Sequence, residues 1–595
     1  MTDAPERLDP ELEMLLNNKQ SGYQYRERRH EAWDENYTLY RDTVKINRLI
    51  QRQSVNLPIM KQSIRTLLKD VDDMPVLYFE NLDNNKQAEI FKNEFWKVTA
   101  EDNNMELQDI ADKRQVFLFG RSFDQWQIID GKIKQTIVDP MDISVSRYTD
   151  PTNLHSSRFL NHDHIIVPLT SLEKNPDYDK SAVRRLKAFY ASEMGLIKLE
   201  DNLATLEEKN QKMADMGLDD IDDPVLGETY VELTMQFAYR PTVVADDEKD
   251  TGEEELYLHV IAENREILMK KPLEEVIGKT VDHWWKNHFP YESWGDDTEI
   301  QDFWSDSVAD VIRPVNKVAN AWFSQEVERR TLSNFGMTFY DAGMEGFAPS
   351  TLNPQAWGWY GMPVAQAGEG KNIGDVIQRV DIPANDGNLE SLQFLMGIAD
   401  RASGASSTQQ GAVNENKVTL GEIELALVEA KDRVKGMSKF YTPCWKRRGQ
   451  IFCKLIEAAP EKIDAVKVYK KGRNTDTIYS REIKPTDWMT KLGYRVKVWS
   501  MDEKNTMDTN ALQKMNYAKT IMPNNPKLDE IYQRKSLEFA GLTPDEINDI
   551  MEFENQQQQA ILSQQVMGGQ VMPNQPMQPG LAPDMNQGQN VPIIN

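Results

Sequence analysis

Ser403-Gly-Ala-Ser-Ser-Thr-Gln-Gln-Gly-Ala-Val-Asn-Glu-Asn-Lys-Val418 separates two segments whose apolar residues recur at helical spacing. A loop of that length between ordered elements is uncommon and is usually functional or disordered. It holds no aromatic residue, and its only charges are Glu415 and Lys417. Such a composition suits contact with something that slides past rather than something gripped.

The flanks read outward from this loop. On its N-terminal side a helix starts near Asn388, a plausible N-cap, and carries Leu389, Leu392, Leu395, Met396 and Ala399. On its C-terminal side Thr419 and Glu422 form a capping-box signature that restarts a helix. Ile423, Leu427, Ala430, Val434, Met437 and Tyr441 then alternate spacings of four and three, a coiled-coil-like seam. Trp445, Ile451, Phe452, Leu455 and Ile456 lie beyond Pro443, which predicts a bend or a restart there. Upstream, Ser305–Asn334 reads as a helix with Val308, Ile312, Val315, Ala319, Trp322 and Phe323 along one side and Pro314 as a kink site. Between the two helices, Phe335–Ile382 is rich in glycine and holds Phe339, Tyr340, Phe347, Trp357, Trp359 and Tyr360. Glycine permits tight turns and the aromatics supply burial, so a small β-containing module is expected.

The N-terminal part alternates in type. Met1–Tyr23 has no apolar run and is read as a flexible leader rather than a signal peptide. Helices are expected over Gln24–Gln53, after Pro58 through Ile64, Leu67, Leu68 and Val71, over Gln87–Val98 and over Met105–Leu118. Gln125–Ile129 and Lys132–Val138 alternate around Asp130-Gly131, a hairpin signal. Tyr230–Val244 and Glu255–Lys271 read as strands, the latter folding back near Glu263-Asn264. Ser181–Asp223, between the hairpin and these strands, is helical, and its acidic end lacks the order of a calcium loop. Ala465–Tyr469 and Tyr494–Trp499 are strand-like, Thr509–Ile521 and Leu528–Ala540 helical. Thr543-Pro544-Asp545-Glu546 caps a further helix, and the Gln-, Met- and Pro-rich tail is too polar to bury a core. The fold class is α+β, mainly helical.

Composition narrows the function. Asp and Glu number 95 against 69 Lys and Arg, a net charge of −26. A broad phosphate-neutralising surface needs clustered cations, so tight nucleic-acid binding is not expected. Cys444 and Cys453 are the only cysteines, which points to a reducing compartment. No run approaches the ~20 apolar residues of a membrane span.

A search for chemistry finds no site. Gly368-Glu-Gly370-Lys371-Asn372 lacks the leading glycine (Ala365) and the Ser/Thr (Asn372) of a phosphate loop. His162 and His164 flank Asp163, and His283 and His288 bracket a Trp pair, but neither set has a third ligand at recognisable spacing. The run His283–Trp304 contains Trp284, Trp285, Trp294 and Trp304 among acidic rather than basic residues, so core or subunit-interface packing outranks base stacking. No catalytic, cofactor or metal residues are assigned.

The order of elements, and above all the Ser/Gly/Gln loop followed by Thr419-Leu-Gly-Glu422-Ile-Glu424, resembles the portal proteins of tailed bacteriophages. The resemblance implies a wing over residues 24–304, a first stem helix at 305–334, a clip at 335–387 and a second stem helix at 388–402. A tunnel loop at 403–418, a long wing helix at 419–459, returning wing strands at 460–508, crown helices at 509–555 and a tail at 556–595 complete it. It further implies a homo-oligomeric ring of about twelve subunits, a closed heterologous assembly, at one capsid vertex of the virion and assembled in the host cytoplasm. Double-stranded DNA would pass through with low affinity. Large terminase, head-completion or tail adaptor, and major capsid and scaffolding proteins would be partners, with no cofactor and no enzymatic activity. On this resemblance Gln409, Gln410, Asn414, Asn416 and Lys417 would lie nearest DNA. Trp357, Trp359 and Tyr360 would form the clip docking surface, and Ile423, Leu427, Val434, Met437 and Tyr441 would pack subunits together. The rival expectation is a non-portal structural or scaffolding protein of a virion, assembled as a coiled coil through Ile423–Tyr441.

Overall fold

The Asp130-Gly131 turn organises the first sheet. Both residues hold positive φ, 48° and 75°, as a two-residue type I′ hairpin requires. In this computed structural model the turn joins β2 (Arg121–Ile129) to β3 (Lys132–Val138), and Ile129 pairs with Lys132. β9 (Tyr291–Gly295), which comes from the tryptophan-rich run, adds to the other edge of β2. The structure describes residues 9–43, 56–70, 74–83, 85–216, 228–243, 250–295, 302–335, 337–340, 377–380, 387–403, 440–471, 478–490 and 492–499. Scattered positions beyond 513 are also described.

A second, five-stranded antiparallel sheet has the order β4 (Ile143–Val145), β5 (Phe159–Pro168), β6 (Tyr230–Val243), β7 (Asp250–Ala262), β8 (Glu266–Pro272). Glu263 and Asn264 turn β7 into β8 with φ of 50° and 54°. β5 carries the His162-Asp163-His164 triplet, and its register slips between His162 and Ile165 where His164 adopts φ 55°. That bulge breaks the period-two pattern, which hid the strand in the sequence.

Helix α1 spans Pro10–Tyr40, so residues 10–23 are not a flexible leader. Asp9 caps the helix by accepting the Glu11 N–H at 3.1 Å, and Pro10 occupies its first turn. Leu12 and Leu15 form a small cluster with Ile261, whereas Tyr25, Trp33, Leu39 and Tyr40 join the main core. Such short, spaced apolar pairs give no continuous run to read. α2 (Ile59–Asp70), α3 (Lys86–Asp102) and α4 (Met105–Phe119) follow, with β1 (Val76–Asn81) between the first two of them. β1 pairs along its whole length with β14 (Tyr494–Trp499) and so joins two distant parts of the chain.

α5 (Leu169–Lys174), α6 (Lys180–Tyr190) and α7 (Glu193–Met216) connect β5 to β6, and α8 (Leu273–Ile277) follows β8. β12 (Val466–Lys471) and β13 (Ile478–Ile483) form a further hairpin. The core is aromatic: Trp33, Trp126, Trp285, Trp304 and Trp445 are fully buried. Trp33 meets the Phe119 and Trp304 rings edge-on at 6.1 and 5.3 Å. Trp285, Trp294 and Trp304 of the tryptophan-rich run are thus core residues. The chain divides into two units, Met1–Met501 and Asp502–Asn595, and the described positions of the second are all helical.

Candidate functional site

Helix α9 (Val308–Phe335) begins inside the first unit and ends at a two-stranded ladder. Ala309, Ile312, Asn316 and Ala319 are buried at spacings of three and four, the stripe that seats its first half. Asp310 fixes that half: it accepts from Arg29 at 2.6 Å, from Asn36 at 3.0 Å and from the Ser307 N–H at 2.9 Å. Burial would raise the Asp310 pKa, but the Ser307 N–H and the Arg29 guanidinium hold it below the usual carboxylate range. Asn320 accepts the Leu57 N–H at 2.8 Å and ties in the turn before α2. The helix runs through Pro314. Trp322, which the apolar stripe placed on the inner side, is 39% exposed.

β10 (Met337–Tyr340) leaves α9 and pairs antiparallel with β11 (Ile377–Val380), Met337 opposite Val380 and Tyr340 opposite Ile377. Helix α10 (Gly387–Ser403) then packs back along α9 and ends where the Ser/Gly/Gln stretch begins. Two helices thus run out to a β ladder and back. Gln409, Gln410, Asn414, Asn416 and Lys417, together with Trp357, Trp359, Tyr360, Ile423, Leu427, Val434 and Met437, lie outside the described residues.

Tyr441 is the one residue of the subunit-packing set that is described, and it does not face outward. It is 2% exposed, donates its hydroxyl to Asp109, and packs on Trp294 with centroids 5.0 Å apart. Its side chain is consumed within its own chain. Residues 440–458 are helical on both sides of Pro443, with no break there.

This helix, α11, is held by buried charges that the sequence pattern did not single out. Arg448, fully buried, reaches Asp112 at 3.0 Å and Asp124 at 2.9 Å. Asp112 also accepts from the Trp294 indole at 2.8 Å, and Asp124 from Gln135 at 3.0 Å and from the Trp126 indole. Arg447 pairs with buried Glu292 at 2.8 Å, and Lys113 with Asp109 at 2.5 Å. Burial disfavours the Arg448 charge, yet the two carboxylates push its pKa well above the ordinary value. Burial likewise pushes Asp124 up to about 6, against the pull of Arg448. The arrangement clamps α11 to α4, β2 and β9.

The histidines of the two sequence clusters have partners within the chain. His162 Nδ1 lies 2.9 Å from the Tyr291 hydroxyl, His164 pairs with Glu232 at 2.9 Å, His283 with Glu274 at 3.1 Å, and His288 stacks on Trp284 at 3.7 Å. Among the described residues no group of three or more His, Cys, Asp or Glu side chains could hold a metal ion, and no helix is long and apolar enough to cross a membrane. No protein-family model matches the chain, and no curated protein matches it.

Proposed function

We propose that this chain is the subunit of a viral portal: a ring at one capsid vertex that conducts double-stranded DNA and offers a docking platform for terminase and for head-completion or tail proteins. The observation that carries the reading is the excursion α9–β10–β11–α10. It leaves an α+β body, turns through a two-stranded ladder, and ends at Ser403. The Ser/Gly/Gln stretch follows in the sequence, and helix α11, residues 440–458, is clamped in the body. A stem, clip, loop and wing helix require this order.

The acidic balance, −26 overall, fits a conduit. Phosphates are repelled, so DNA moves with little friction, whereas clustered cations would act as a brake. The loop residues Gln409, Gln410, Asn414, Asn416 and Lys417 make transient polar contacts with the passing duplex. The chain itself hydrolyses nothing, and the packaging motor is supplied by a partner.

Negative-stain imaging of the purified full chain tests the reading. Rings with an axial hole are expected. Elongated dimers or trimers would overturn it in favour of a coiled-coil scaffold. Deleting Ser406–Asn416 should then leave rings intact while particles lose packaged DNA. Unchanged DNA content would remove the tunnel role from this loop.

A further inference from the structure

Residues 146–157 form the loop between β4 and β5, and hydrogen bonds pin it on both sides of Arg147 and Tyr148. Ser146 Oγ lies 3.1 Å from the hydroxyls of Thr149 and Ser157 and accepts the Arg158 N–H at 3.1 Å. Thr149 donates its hydroxyl to the Ser146 carbonyl at 2.7 Å. The Asp150 N–H donates to Ser156 Oγ at 2.7 Å, and the Asp150 carboxylate accepts from the Thr152 N–H and hydroxyl, both at 2.8 Å. Ser146, Thr149 and Ser157 are buried, whereas Arg147 is exposed and Tyr148 is 90% exposed. Neither of these two side chains makes a hydrogen bond, ion pair or ring contact with a described residue. The loop thus fixes its backbone and presents an aromatic ring and a guanidinium to solvent. Tyr and Arg dominate binding hot spots, and a backbone already fixed loses little entropy on docking.

The far end of the same sheet carries a surface of matching chemistry. β5 leaves the loop at Phe159, opposite Ala238, and ends roughly 30 Å away at Pro168, opposite Tyr230. There Asn202 of α7 donates to the Tyr230 carbonyl at 3.0 Å, and Lys198 pairs with Glu232 at 2.9 Å. Gly195 and Asn202 are buried against the body. The helical period then sets Leu196, Glu200, Glu193, Ile197, Asp201 and Met194 side by side on the opposite arc. The three apolar side chains are each more than half exposed. The three carboxylates are exposed as well and make no ion pair with a described cation. Single exposed apolar residues are ordinary, but three on one arc form a contiguous patch. This one offers apolar area to a ring and carboxylates to a guanidinium.

We propose that copies of this chain meet head to tail, with Arg147 and Tyr148 of one copy docked on the α7 arc of the next. The Tyr148 ring covers Met194 and Ile197, and the Arg147 guanidinium pairs with the carboxylates one turn further on, Glu200 and Asp201. The two patches differ and lie at opposite ends of one sheet, so each copy uses both and the contact repeats from copy to copy. That is a heterologous interface. A chain of net charge −26 repels its own copies, and a cation set against carboxylates offsets that repulsion where they touch. Closure of the series into a ring rests on the portal reading above; the pairing of the two patches does not.

The test uses the full-length chain carrying Tyr148→p-benzoylphenylalanine, which keeps an aromatic ring at the loop tip. It is mixed with isotope-labelled wild-type chain, assembled, irradiated, digested and mapped by mass spectrometry. The expected product joins position 148 to a labelled peptide from residues 193–201, so the link lies between copies. Arg147→Glu should raise the concentration at which half of the chain is assembled about tenfold or more, as loss of a hot-spot cation does. Glu200→Arg and Asp201→Arg, added to the same chain, should recover most of that loss. The substituted side chains are exposed, so the fold does not depend on them. Copies joined through these patches into open filaments would keep this contact and remove the ring reading. Rings that assemble as readily with Arg147→Glu, or in which position 148 links to another segment or to none, overturn the contact and leave the ring reading standing. A chain that stays monomeric at every concentration overturns both.

Discussion

Along the α9–α10 pair the apolar residues spread outward, whereas along α11 charged residues turn inward. Val311, Val318 and Trp322 of α9 and Phe394 and Met396 of α10 are exposed, while Arg448 of α11 is sealed between two carboxylates. The pair keeps apolar surface available, and the anchor has given up solvation to fix one geometry. Directional contacts between buried charges fix one position of a helix against its neighbours. The difference predicts where substitutions hurt: deep in α11, and hardly at all on the outer faces of the pair.

The sharpest way to break this contrast is Arg448→Met. It leaves Asp112 and Asp124 buried without their cation, and such a loss costs about 3–5 kcal/mol. Urea unfolding of the first unit should show the drop. Restoring neutrality with Asp112→Asn and Asp124→Asn in the same chain should recover part of it. An Arg448→Met protein as stable as wild type would mean that the clamp contributes only packing.

Acidification probes a second buried group by titration rather than mutation. His259 is fully buried against the first turn of α1, facing Glu11, Arg240 and Lys270, and burial lowers its pKa from 6.5 to about 4. Between those values the unfolded chain takes up a proton that the folded chain refuses. Stability therefore falls as pH drops from 6.5 to 4, by up to roughly 3 kcal/mol from this group. Asp124 works in the opposite direction: its raised value, about 6, lets the folded state keep a proton there that the unfolded chain has lost. Subtracting the melting curve of His259→Gln from that of wild type isolates the histidine, and a flat difference over this range would remove its role. A smaller effect is expected from Tyr441→Phe. It deletes one hydrogen bond to the charged Asp109 and should cost about 2 kcal/mol in the same urea assay.

The periodic parts of this architecture were legible from residues alone, because their local signals agree with the fold. Asp130-Gly131 turns where a type I′ pair must, Glu263-Asn264 closes β7 on β8, and α10 ends at the first residue of the polar loop. Strands β1, β5 and β9 were not legible. β5 carries a bulge, β9 lies inside a tryptophan-rich run, and β1 is defined by a partner that lies at Tyr494–Trp499. The clamp was hidden for another reason. Asp109, Asp112 and Arg448 look like ordinary helix-surface charges, and only tertiary packing buries them. One signal was present: continuing the alternating spacing beyond Tyr441 passes Cys444 and lands on Arg448, then on Ile451 and Leu455. A charge on a core position of an apolar seam announces a buried partner.

The outer faces of the helix pair supply the smallest effect and the cleanest contrast. Phe394 is 67% exposed on α10, so its removal takes little apolar area out of the folded chain. Phe394→Ser should change the stability of the isolated subunit by less than about 0.5 kcal/mol, the usual range for a surface substitution. The same change matters more if the face is covered in an assembly, because apolar area buried between copies contributes at about 25 cal/mol per Å². Sedimentation velocity over a dilution series separates the two terms, since subunit unfolding is independent of concentration and association is not. An unchanged urea midpoint with weakened self-association would assign Phe394 to contact between copies. A lowered midpoint without any change in association would show instead that α10 leans on this ring for its own packing against α9, and the contrast with α11 would then narrow.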